Sequence, residues 1–166
     1  MSAKLSANKS LLQYWQDIAP SDRLAHLVRD TARAYMRALQ DRLQQHDIPF
    51  SQWQLLRILW HADGLTQREL SERAGLMEPT TQVVVSGMEQ RGYVRRRHQA
   101  NNRKNKYVYL TAAGRALQHV LVPLAEETNR LSQQGVSEHD IQVTRQTLMR
   151  LLSNLAEDDL AAQQAL

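Results

Sequence analysis

The side chains that could do chemistry in this sequence are basic groups and histidines, because thiols are absent. The 166 residues include no cysteine and six histidines, and no two histidines stand three or four positions apart. The absence of that spacing argues against the helical histidine pair of a metal site. The carboxylates form no evident acid–base pair, and no glycine-rich phosphate loop or G-x-S-x-G motif occurs. We therefore expect no enzymatic activity, no metal and no cofactor.

The basic residues are concentrated in one segment. Between Glu89 and Glu126 there is no acidic residue, and there are eight basic ones: Arg91, Arg95, Arg96, Arg97, Arg103, Lys104, Lys106 and Arg115. Removing these eight from the 21 basic residues leaves 13 against 17 acidic residues, although the whole chain has a net charge of +4. A basic segment on an otherwise mildly acidic protein is typical of a polyanion partner such as nucleic acid.

The residues before this basic segment have the apolar spacing of helices. A first helix is predicted to begin after Ser21-Asp22, which can cap it, and to end before Pro49, because the residue before a proline avoids helical backbone angles. Ser51 and Gln54 have the spacing of a capping box, which predicts a second helix over residues 51–61. The pair Asp63-Gly64 should end that helix.

Two short helices are predicted next. Thr66 and Glu69 form a second capping-box pattern, and Gly75 is a typical helix stop, so a third helix is expected over residues 66–74. The fourth helix should begin near Pro79, a residue favoured in the first helical turn, and end at about Arg91. Two short helices joined by a tight glycine turn form a helix-turn-helix unit.

The periodicity then changes to that of strands. Residues 93–97 and 106–110 are rich in β-branched and aromatic residues, and residues 100–102 have the composition of a turn. This pattern predicts a β-hairpin with a basic tip, which we call the wing. Thr111 is placed to cap a fifth helix that reaches about residue 131 with a kink at Pro123, and Ser137 should begin a last helix.

The predicted fold is mainly α-helical with a small β-hairpin wing. Residues 1–166 are expected to form one domain, with a winged helix-turn-helix lobe at about 48–115 and a helical dimerisation region at about 11–47 and 116–166. The first and last helices have more apolar surface than so small a lobe can cover, which favours a homodimer over an intramolecular bundle. No run is long enough for a membrane span and no apolar signal region begins the chain, so a cytoplasmic location is expected.

The fourth helix has an unusual outward face. The i, i+3, i+4, i+7 spacing predicts a buried stripe of Thr81, Val84, Val85 and Met88. The side chains turned outward are then Thr80, Gln82, Val83 and Ser86. This uncharged face offers an amide for adenine, hydroxyls for base edges and methyl groups for thymine. Together with the basic wing it predicts binding to double-stranded DNA, with contacts from Thr66, Gln67, Pro79, Thr80, Gln82, Val83, Ser86, Arg97, Asn102, Arg103, Lys104 and Lys106.

The order of these parts resembles the MarR family of bacterial regulators. The matching segments are Leu-Thr-Gln-Arg-Glu-Leu at 65–70, Pro-Thr-Thr at 79–81, Met-Glu-Gln-Arg-Gly-Tyr-Val-Arg-Arg at 88–96 and Tyr-Val-Tyr-Leu-Thr-Ala-Ala-Gly at 107–114. The resemblance covers about residues 20–155. It implies a homodimeric repressor on a pseudo-palindromic operator, with recognition helices in successive major grooves, wings in the flanking minor grooves, and release by a small ligand. At the wing tip, Asn102-Arg103-Lys104 replaces the family's D-x-R pattern, and an asparagine holds the arginine by a weaker, uncharged hydrogen bond.

The resemblance also implies a ligand pocket between the dimer helices and the DNA-binding lobe. An aromatic carboxylate is the expected effector, with Arg73 binding its charge, Trp53 contacting its ring and His26 supplying a polar contact. This assignment assumes that Arg73 is partly buried on the inward side of the third helix. The alternative is that Arg73 forms a salt bridge within its own helix, to Glu69 or Glu72, and that the tryptophan belongs to the core.

Two other classes of protein fit parts of this pattern. A winged helix can bind proteins in place of DNA. A DNA-binding protein can also act without any small ligand. Steep salt dependence of binding to duplex DNA separates a DNA-binding protein from the first class, because phosphate contacts release counterions. Failure of small molecules to shift operator affinity would indicate the second.

Overall fold

The computed structural model describes the backbone of residues 9–15, 24–99 and 102–164, and the side chains of these except 102–104 and 159–164. The chain is mainly helical, as predicted. Residues 9–15 are helical (α1), and the elements that follow are α2 (Leu24–Gln44), α3 (Phe50–His61), β1 (Leu65–Thr66), α4 (Gln67–Ala74), α5 (Glu78–Gln90), β2 (Val94–Gln99), β3 (Asn102–Leu110), α6 (Ala112–Ser132) and α7 (Glu138–Gln164). The three strands form one antiparallel sheet in the order β1-β3-β2.

The chain divides into two compact units. The first ends at Thr128 and contains α2 to α5, the sheet and most of α6, while the second begins at Asn129 and contains the end of α6 and α7. No helix in the described ranges is both long and apolar enough to cross a membrane. The predicted division near residues 48 and 115 into a DNA-binding lobe and a dimerisation region stays a prediction.

Three predicted helix starts have the expected caps. The Thr66 hydroxyl accepts a hydrogen bond from the Glu69 N–H at 3.2 Å, and the Glu69 carboxylate accepts one from the Thr66 N–H at 2.7 Å, so the capping box before α4 is complete. The Thr111 hydroxyl accepts from the Gly114 N–H at 3.1 Å, and the Ser137 hydroxyl accepts from the N–H three positions later, also at 3.1 Å. Caps of this kind depend on neighbouring residues alone, which is why the sequence identifies them.

The capping box predicted at Ser51 and Gln54 is wrong. Helix α3 begins at Phe50, with Pro49 as its N-cap in an extended conformation (φ −62°, ψ 146°) and without a side-chain cap. The Pro49 carbonyl accepts a hydrogen bond from the Gln52 N–H at 3.0 Å, so Ser51 already lies inside the first turn. The fixed φ of proline sets the start of this helix, and no serine cap is needed.

The sheet is larger than the predicted hairpin. Strands β2 and β3 both extend beyond the predicted ranges of 93–97 and 106–110. A third strand, β1, was not predicted, and its first residue, Leu65, pairs with Val108 in the middle of β3. Two residues are too few to show the alternation that identifies a strand. This short strand attaches the wing to the residues that begin α4.

The core of the first unit fixes which side of α5 faces solvent. Its fully buried apolar side chains come from α2, α3, α4, α5, α6, the sheet and the α2–α3 loop: Leu43, Ile48, Leu55, Leu56, Leu59, Leu70, Val85, Met88, Val94, Val108, Leu110 and Leu121. The stripe predicted for α5 is confirmed, since Thr81, Val85 and Met88 are buried and Val84 packs against the core. Each fully buried side chain of this size contributes roughly 1.5–3 kcal/mol, which makes a rotated α5 unfavourable.

A carboxylate of α5 attaches the wing. Glu89 accepts hydrogen bonds from the Arg96 backbone N–H at 2.9 Å and from Nε and Nη2 of the same residue at 2.9 and 2.6 Å. The side-chain hydrogen bonds are the main cause of a lowered pKa of Glu89, and the backbone hydrogen bond adds to it. The carboxylate is therefore charged near neutral pH and holds β2 against the C-terminal end of α5.

A second carboxylate holds the base of the wing. Asp63, in the loop after α3, accepts hydrogen bonds from the backbone N–H groups of Gly64 and Leu110 at 3.0 and 2.8 Å. Its other oxygen forms an ion pair with Arg115 of α6 at 2.8 Å. One side chain thus connects the end of α3, the end of β3 and the start of α6.

We expect Glu89 to make the stability of the fold depend on pH. Because its pKa is lower in the folded chain than in the unfolded chain, its contribution is complete near neutral pH and is lost as the pH falls through the lowered value. Glu89→Gln should lower the Tm at neutral pH and flatten the fall of Tm on acidification, measured by circular dichroism. Glu126→Gln is the control, since Glu126 is exposed and forms no ion pair within the described residues. Identical Tm–pH profiles for wild type and Glu89→Gln would contradict this role.

Candidate nucleic-acid interface

Helix α5 presents an uncharged polar face to solvent. Thr80, Gln82 and Val83 are exposed, as the helical pattern predicts, while Ser86 is half-buried. Val83 has 72% of its surface exposed, although the helix buries other apolar residues on its opposite side. An amide, hydroxyls and methyl groups can contact base edges, but they cannot form ion pairs with phosphates. This face is therefore suited to reading bases.

The exposed surface continues past the N-terminal end of α5. Met77 is the N-cap residue, forms no side-chain cap and is 75% exposed. Pro79, which follows in the first turn, is also exposed. The first N–H groups of a helix lack partners within it and carry partial positive charge, which favours a phosphate nearby. Sequence reasoning misses Met77, because a single methionine before a helix is not a signal for any contact.

The predicted contacts at the start of α4 differ in their availability. The Thr66 hydroxyl donates its proton to the Glu69 carboxylate at 2.8 Å. Phosphate oxygens only accept hydrogen bonds, so Thr66 cannot donate to one without giving up its hydroxyl hydrogen bond to Glu69. Gln67 is half-buried, and its side-chain amide forms no hydrogen bond within the described residues. Of the two, Gln67 is the residue that is free to meet a partner.

Three arginines of the basic segment are used inside the protein. Arg96 and Arg115 are bound to the carboxylates of α5 and of the loop after α3. Arg91 donates to the backbone carbonyl of Asp47 and lies over the Tyr93 ring, 5.8 Å from its centroid. A count of charges in the sequence cannot distinguish such arginines from free ones. Among the basic residues of this segment whose side chains the structure describes, those left for a partner are on the wing: Arg95, Arg97 and Lys106.

Lys106 lies on the face of the wing that is turned toward α5, which we call the inner face. The register pairs Arg96 with Val108 and His98 with Lys106, and alternate side chains of a strand share a face. Lys106 is therefore on the same face as the arginine that binds Glu89. The bonds from Arg96 are the main cause of the lowered pKa of Glu89, and the charge of Lys106 adds to it. Lys106 is exposed and accessible to a partner.

Arg95 and Arg97 lie on the opposite face of the wing, the outer face. Their cross-strand neighbours are tyrosines, Tyr109 opposite Arg95 and Tyr107 opposite Arg97. Both arginines are exposed, and neither has an acidic partner in the part of the chain that the structure describes. Two predicted DNA contacts, Arg97 and Lys106, are thus on opposite faces of the ribbon. A flat partner surface could meet only one of them.

At the tip of the wing, residues 100 and 101 lie outside the described residues, and residues 102–104 are described by their backbone alone. Asn102 is the first residue of β3 and lies opposite Gln99, after an irregularity in the register that follows His98. Such irregularities commonly mark the end of regular pairing. The side chains of Asn102, Arg103 and Lys104 are outside the described residues, so their assignment as DNA contacts stays a prediction.

The expectation that Arg73 is partly buried is wrong. Helix α4 turns Leu70 and Ser71 into the core, and Arg73, which lies beside Leu70 on the side away from Ser71, is exposed. The pKa of Glu69 is lowered mainly by hydrogen bonds from Thr66, and the charge of Arg73 contributes as well. This proximity favours the alternative in which Arg73 interacts within its own helix.

The other predicted ligand residues differ in exposure. Trp53 is buried, with its ring edge-on to Trp60 at 5.7 Å between centroids, whereas His26 is exposed on α2. A cavity of about 300 Å³ lies at the corner between α2 and α3 and is lined by Gln40, Gln44, Asp47, Ile48 and Pro49. None of the three predicted ligand residues lines it, so ligand binding by His26, Trp53 and Arg73 stays a prediction. The described residues contain no group of three or more His, Asp or Glu that could hold a metal ion.

Both the sequence and the fold are similar to those of known transcriptional regulators. The sequence model of the MarR family matches residues 46–104. The crystal structure of the transcriptional regulator PA3341 is 30% identical, has a TM-score of 0.73 and covers 80% of this chain and 98% of its own. A MarR family regulator from Listeria monocytogenes, solved in complex with a 26mer DNA, is 20% identical and shows the same fold, with a TM-score of 0.76 over 86% of this chain and 95% of that one.

Curated proteins of known description are also similar. The homoprotocatechuate degradative operon repressor of Escherichia coli is 28% identical over 102 residues, which are 61% of this chain and 67% of that protein. The chain spans between about half and two thirds of the length of the curated relatives it matches. A helix-turn-helix joined to a three-stranded sheet, a family match that runs from the loop before α3 to the start of β3, and a relative matched along almost its whole length agree. The chain belongs to the MarR family of winged helix-turn-helix transcriptional regulators.

Proposed function

We propose that this chain is a DNA-binding repressor that acts as a homodimer and is released from its operator by a small aromatic acid. The observation that carries the DNA-binding part is the uncharged exposed face of α5 together with wing arginines that have no acidic partner among the described residues. The uncharged face suits base edges, and the cations suit phosphates. The similar regulator from Listeria monocytogenes was solved with DNA, which supports the same class of partner.

In this proposal α5 is the recognition helix and enters the major groove. Gln82 can both donate to and accept from an adenine edge in a bidentate pair. The methyl groups of Val83 and Thr80 can contact thymine. Pro79 and Ser86 border this surface, and the half-buried Ser86 would meet only a closely approaching base. Residues in the first turns of a recognition helix generally make the base contacts, which agrees with these positions.

The two faces of the wing indicate how it would meet DNA. Arg97 on the outer face and Lys106 on the inner face point in opposite directions. A ribbon lying flat on one phosphate strand could use only one of these cations. A minor groove, which is about 6 Å wide, has a phosphate strand on each side. We therefore propose that the wing enters the minor groove and that its faces meet opposite strands.

We expect both cations to contribute to the salt dependence of DNA binding. Arg97→Ala and Lys106→Ala should each weaken binding to duplexes of any sequence and lower the log–log salt slope by about 1, because each loses one phosphate contact. Fluorescence anisotropy titrations over a range of KCl concentrations measure the slope, and Arg103→Ala and Lys104→Ala extend the series to the tip. Arg57→Ala, an exposed arginine of α3 outside the basic segment, should leave the slope unchanged.

The salt slopes of the two wing variants distinguish between arrangements of the wing on DNA. A lower slope for only one of the two wing variants would place the ribbon against a single phosphate strand. Unchanged slopes for both would remove the wing from the DNA contact. If the wild type binds duplex DNA weakly and without steep salt dependence, the DNA-binding proposal itself fails, and a protein-binding winged helix becomes the better reading.

The homodimer part of the proposal rests on exposed apolar surface on two amphipathic helices. On α2 the exposed residues are Leu24, Leu27, Val28, Tyr35 and Met36. On α7 they are Val143, Leu148, Met149, Leu152 and Leu155. Apolar surface of this extent on a soluble protein generally marks an interface. Two joined lobes would also bind two half-sites at once, which strengthens binding without new contacts.

Loss of the α7 surface should separate the subunits. Removal of residues 141–166 should give a monomer with weak DNA binding, and Leu152→Glu combined with Leu155→Glu should do the same without shortening the chain. Leu152 and Leu155 are 63% and 64% exposed, so their replacement should not disturb the fold of one subunit. Sedimentation velocity measures the assembly, with Gln146→Glu on the polar side of α7 as control. A dimer that survives both changes would place the interface elsewhere.

The effector part of the proposal is supported by the name of a similar protein and by two exposed polar side chains. The relative from Escherichia coli is named as the repressor of a homoprotocatechuate degradative operon, and homoprotocatechuate is an aromatic acid. Arg73 and His26 are exposed, so both can meet a ligand, whereas the buried Trp53 offers little surface to the ring of the ligand. Release requires that the acid bind the DNA-incompetent shape more tightly, and operator DNA must then weaken acid binding by the same factor.

If Arg73 binds the carboxylate, Arg73→Ala should keep its affinity for DNA and lose the response to the acid. The test is a titration of homoprotocatechuate and of benzoate against protein bound to a duplex that the wild type has selected from a random-sequence library. Release of Arg73→Ala as readily as wild type would show that this arginine acts within its own helix. If neither acid releases the wild type, this effector class is excluded.

A further inference from the structure

Arg91 stands at the end of the recognition helix and joins it to a distant part of the chain. It is the C-cap residue of α5. Its guanidinium donates to the backbone carbonyl of Asp47, in the loop between α2 and α3, and lies 3.5 Å from Oε1 of Gln52 in α3. The same group lies over the Tyr93 ring at 5.8 Å. One cation therefore links α5 to the α2–α3 corner and to the start of the wing.

Two further features describe this corner. Asp47 has a φ of 57°, the left-handed conformation that ends α2, since the Asp47 and Ile48 N–H groups bond back to the Gln44 and Leu43 carbonyls, and its own carbonyl is the acceptor for Arg91. A Cβ added at Gly87, one turn before Arg91, would stand 3.4 Å from Nε2 of Gln52, so the two elements are in close contact there. Gln52 is almost fully buried, which limits its alternatives to this arrangement.

We propose that Arg91 is a positioning residue for base recognition: it fixes the angle of α5 by tying its C-terminal end to the α2–α3 corner. The proposal rests on DNA binding through α5. Arg91 is one of the eight basic residues whose concentration predicts a polyanion partner, but the structure gives its guanidinium three partners within the protein. Its effect on DNA is therefore exerted through the helix and not through a phosphate.

The geometry of a helix explains why its far end matters. Gln82 lies nine residues before Arg91, which is about 13 Å along the axis at 1.5 Å per residue. A tilt of roughly 5° about the C-terminal end would move Gln82 by about 1 Å, enough to lengthen a hydrogen bond beyond its useful range of about 2.7–3.2 Å. Base contacts would suffer from such a tilt, whereas flexible lysines and arginines could still reach phosphates. Loss of Arg91 should thus cost specificity and not general affinity.

The test compares two duplexes, one selected by the wild type from a random-sequence library and one with the same bases scrambled. Arg91→Ala should weaken binding to the selected duplex by about tenfold or more, the range of one lost bidentate base contact. Its affinity for the scrambled duplex and its salt slope should stay at wild-type values. Arg91→Lys keeps the charge but lacks the guanidinium whose Nη1 meets both acceptors while its carbon lies over the Tyr93 ring, so it should behave like Arg91→Ala.

Two other variants keep the result decisive if Arg91→Ala unfolds easily. Gln52→Ala removes one acceptor and should lose specificity in the same direction, with less than additive effect when combined with Arg91→Ala. Asp47→Asn keeps the backbone acceptor and a residue that tolerates the left-handed conformation, and it should bind as wild type does. All measurements are made well below the Tm of each variant.

The possible results distinguish a positioning role of Arg91 from a direct contact between Arg91 and a phosphate. If Arg91→Ala weakens both duplexes equally and lowers the salt slope by about 1, Arg91 is a phosphate contact and the positioning role is wrong. Full rescue by Arg91→Lys, or unchanged binding of both duplexes by Arg91→Ala, overturns it as well. If the wild type selects no duplex at all, the proposed DNA-binding function fails first, and the inference fails with it.

Discussion

A ribbon of like charges cannot hold itself in place, and the wing of this protein depends on carboxylates outside it. An isolated two-stranded hairpin is at best marginally stable in water, and arginine and lysine neighbours repel one another. Glu89 holds the middle of β2 by accepting three hydrogen bonds from Arg96, and its negative charge offsets that of the arginine. Asp63 holds the end of β3 by accepting a hydrogen bond from the Leu110 N–H. Because Glu89 belongs to α5, the wing and the exposed face of that helix are positioned by one interaction.

The arginines of the basic segment therefore divide into two groups with different physical roles. Arg91, Arg96 and Arg115 have their acceptors inside the protein, and each joins α5, the wing or α6 to a neighbouring element. Arg95 and Arg97 have no such acceptor among the described residues and leave their charge on the surface. The alternation of β2 sorts them, because Arg96 faces inward while its two neighbours face outward.

This division explains which contacts could be predicted from the sequence alone. The caps at Thr66, Thr111 and Ser137 and the buried stripe of α5 were predictable, because each depends on residues within a turn or two of the helix. The partners of Arg91 and Arg115 lie 44 and 52 positions away in the chain, and no local pattern shows them. For the same reason the pairing of the two-residue strand β1 could not be foreseen.

The other errors have local causes. Ser51 was a plausible cap until the fixed φ of Pro49 set the helix start. Arg73 was expected inside because it follows Leu70 by three positions, but the burial of Ser71 rotates the inward side of α4 away from it. In a helix of eight residues, one buried serine is enough to change which side faces the core. The solvent-exposed side of α5 was easier to predict, since the longer apolar stripe of this helix defines one buried direction.

The described anchors of the wing bind Arg96 in β2 and the Leu110 N–H in β3, so both act on residues of its strands. A change at Glu89 leaves Arg96 without its acceptor, so it should be tolerated only with a compensating change at position 96. A change at Arg97, whose side chain makes neither contact, carries no such condition. When genes for this protein duplicate and diverge, positions 89 and 96 should therefore change together, whereas position 97 should change independently.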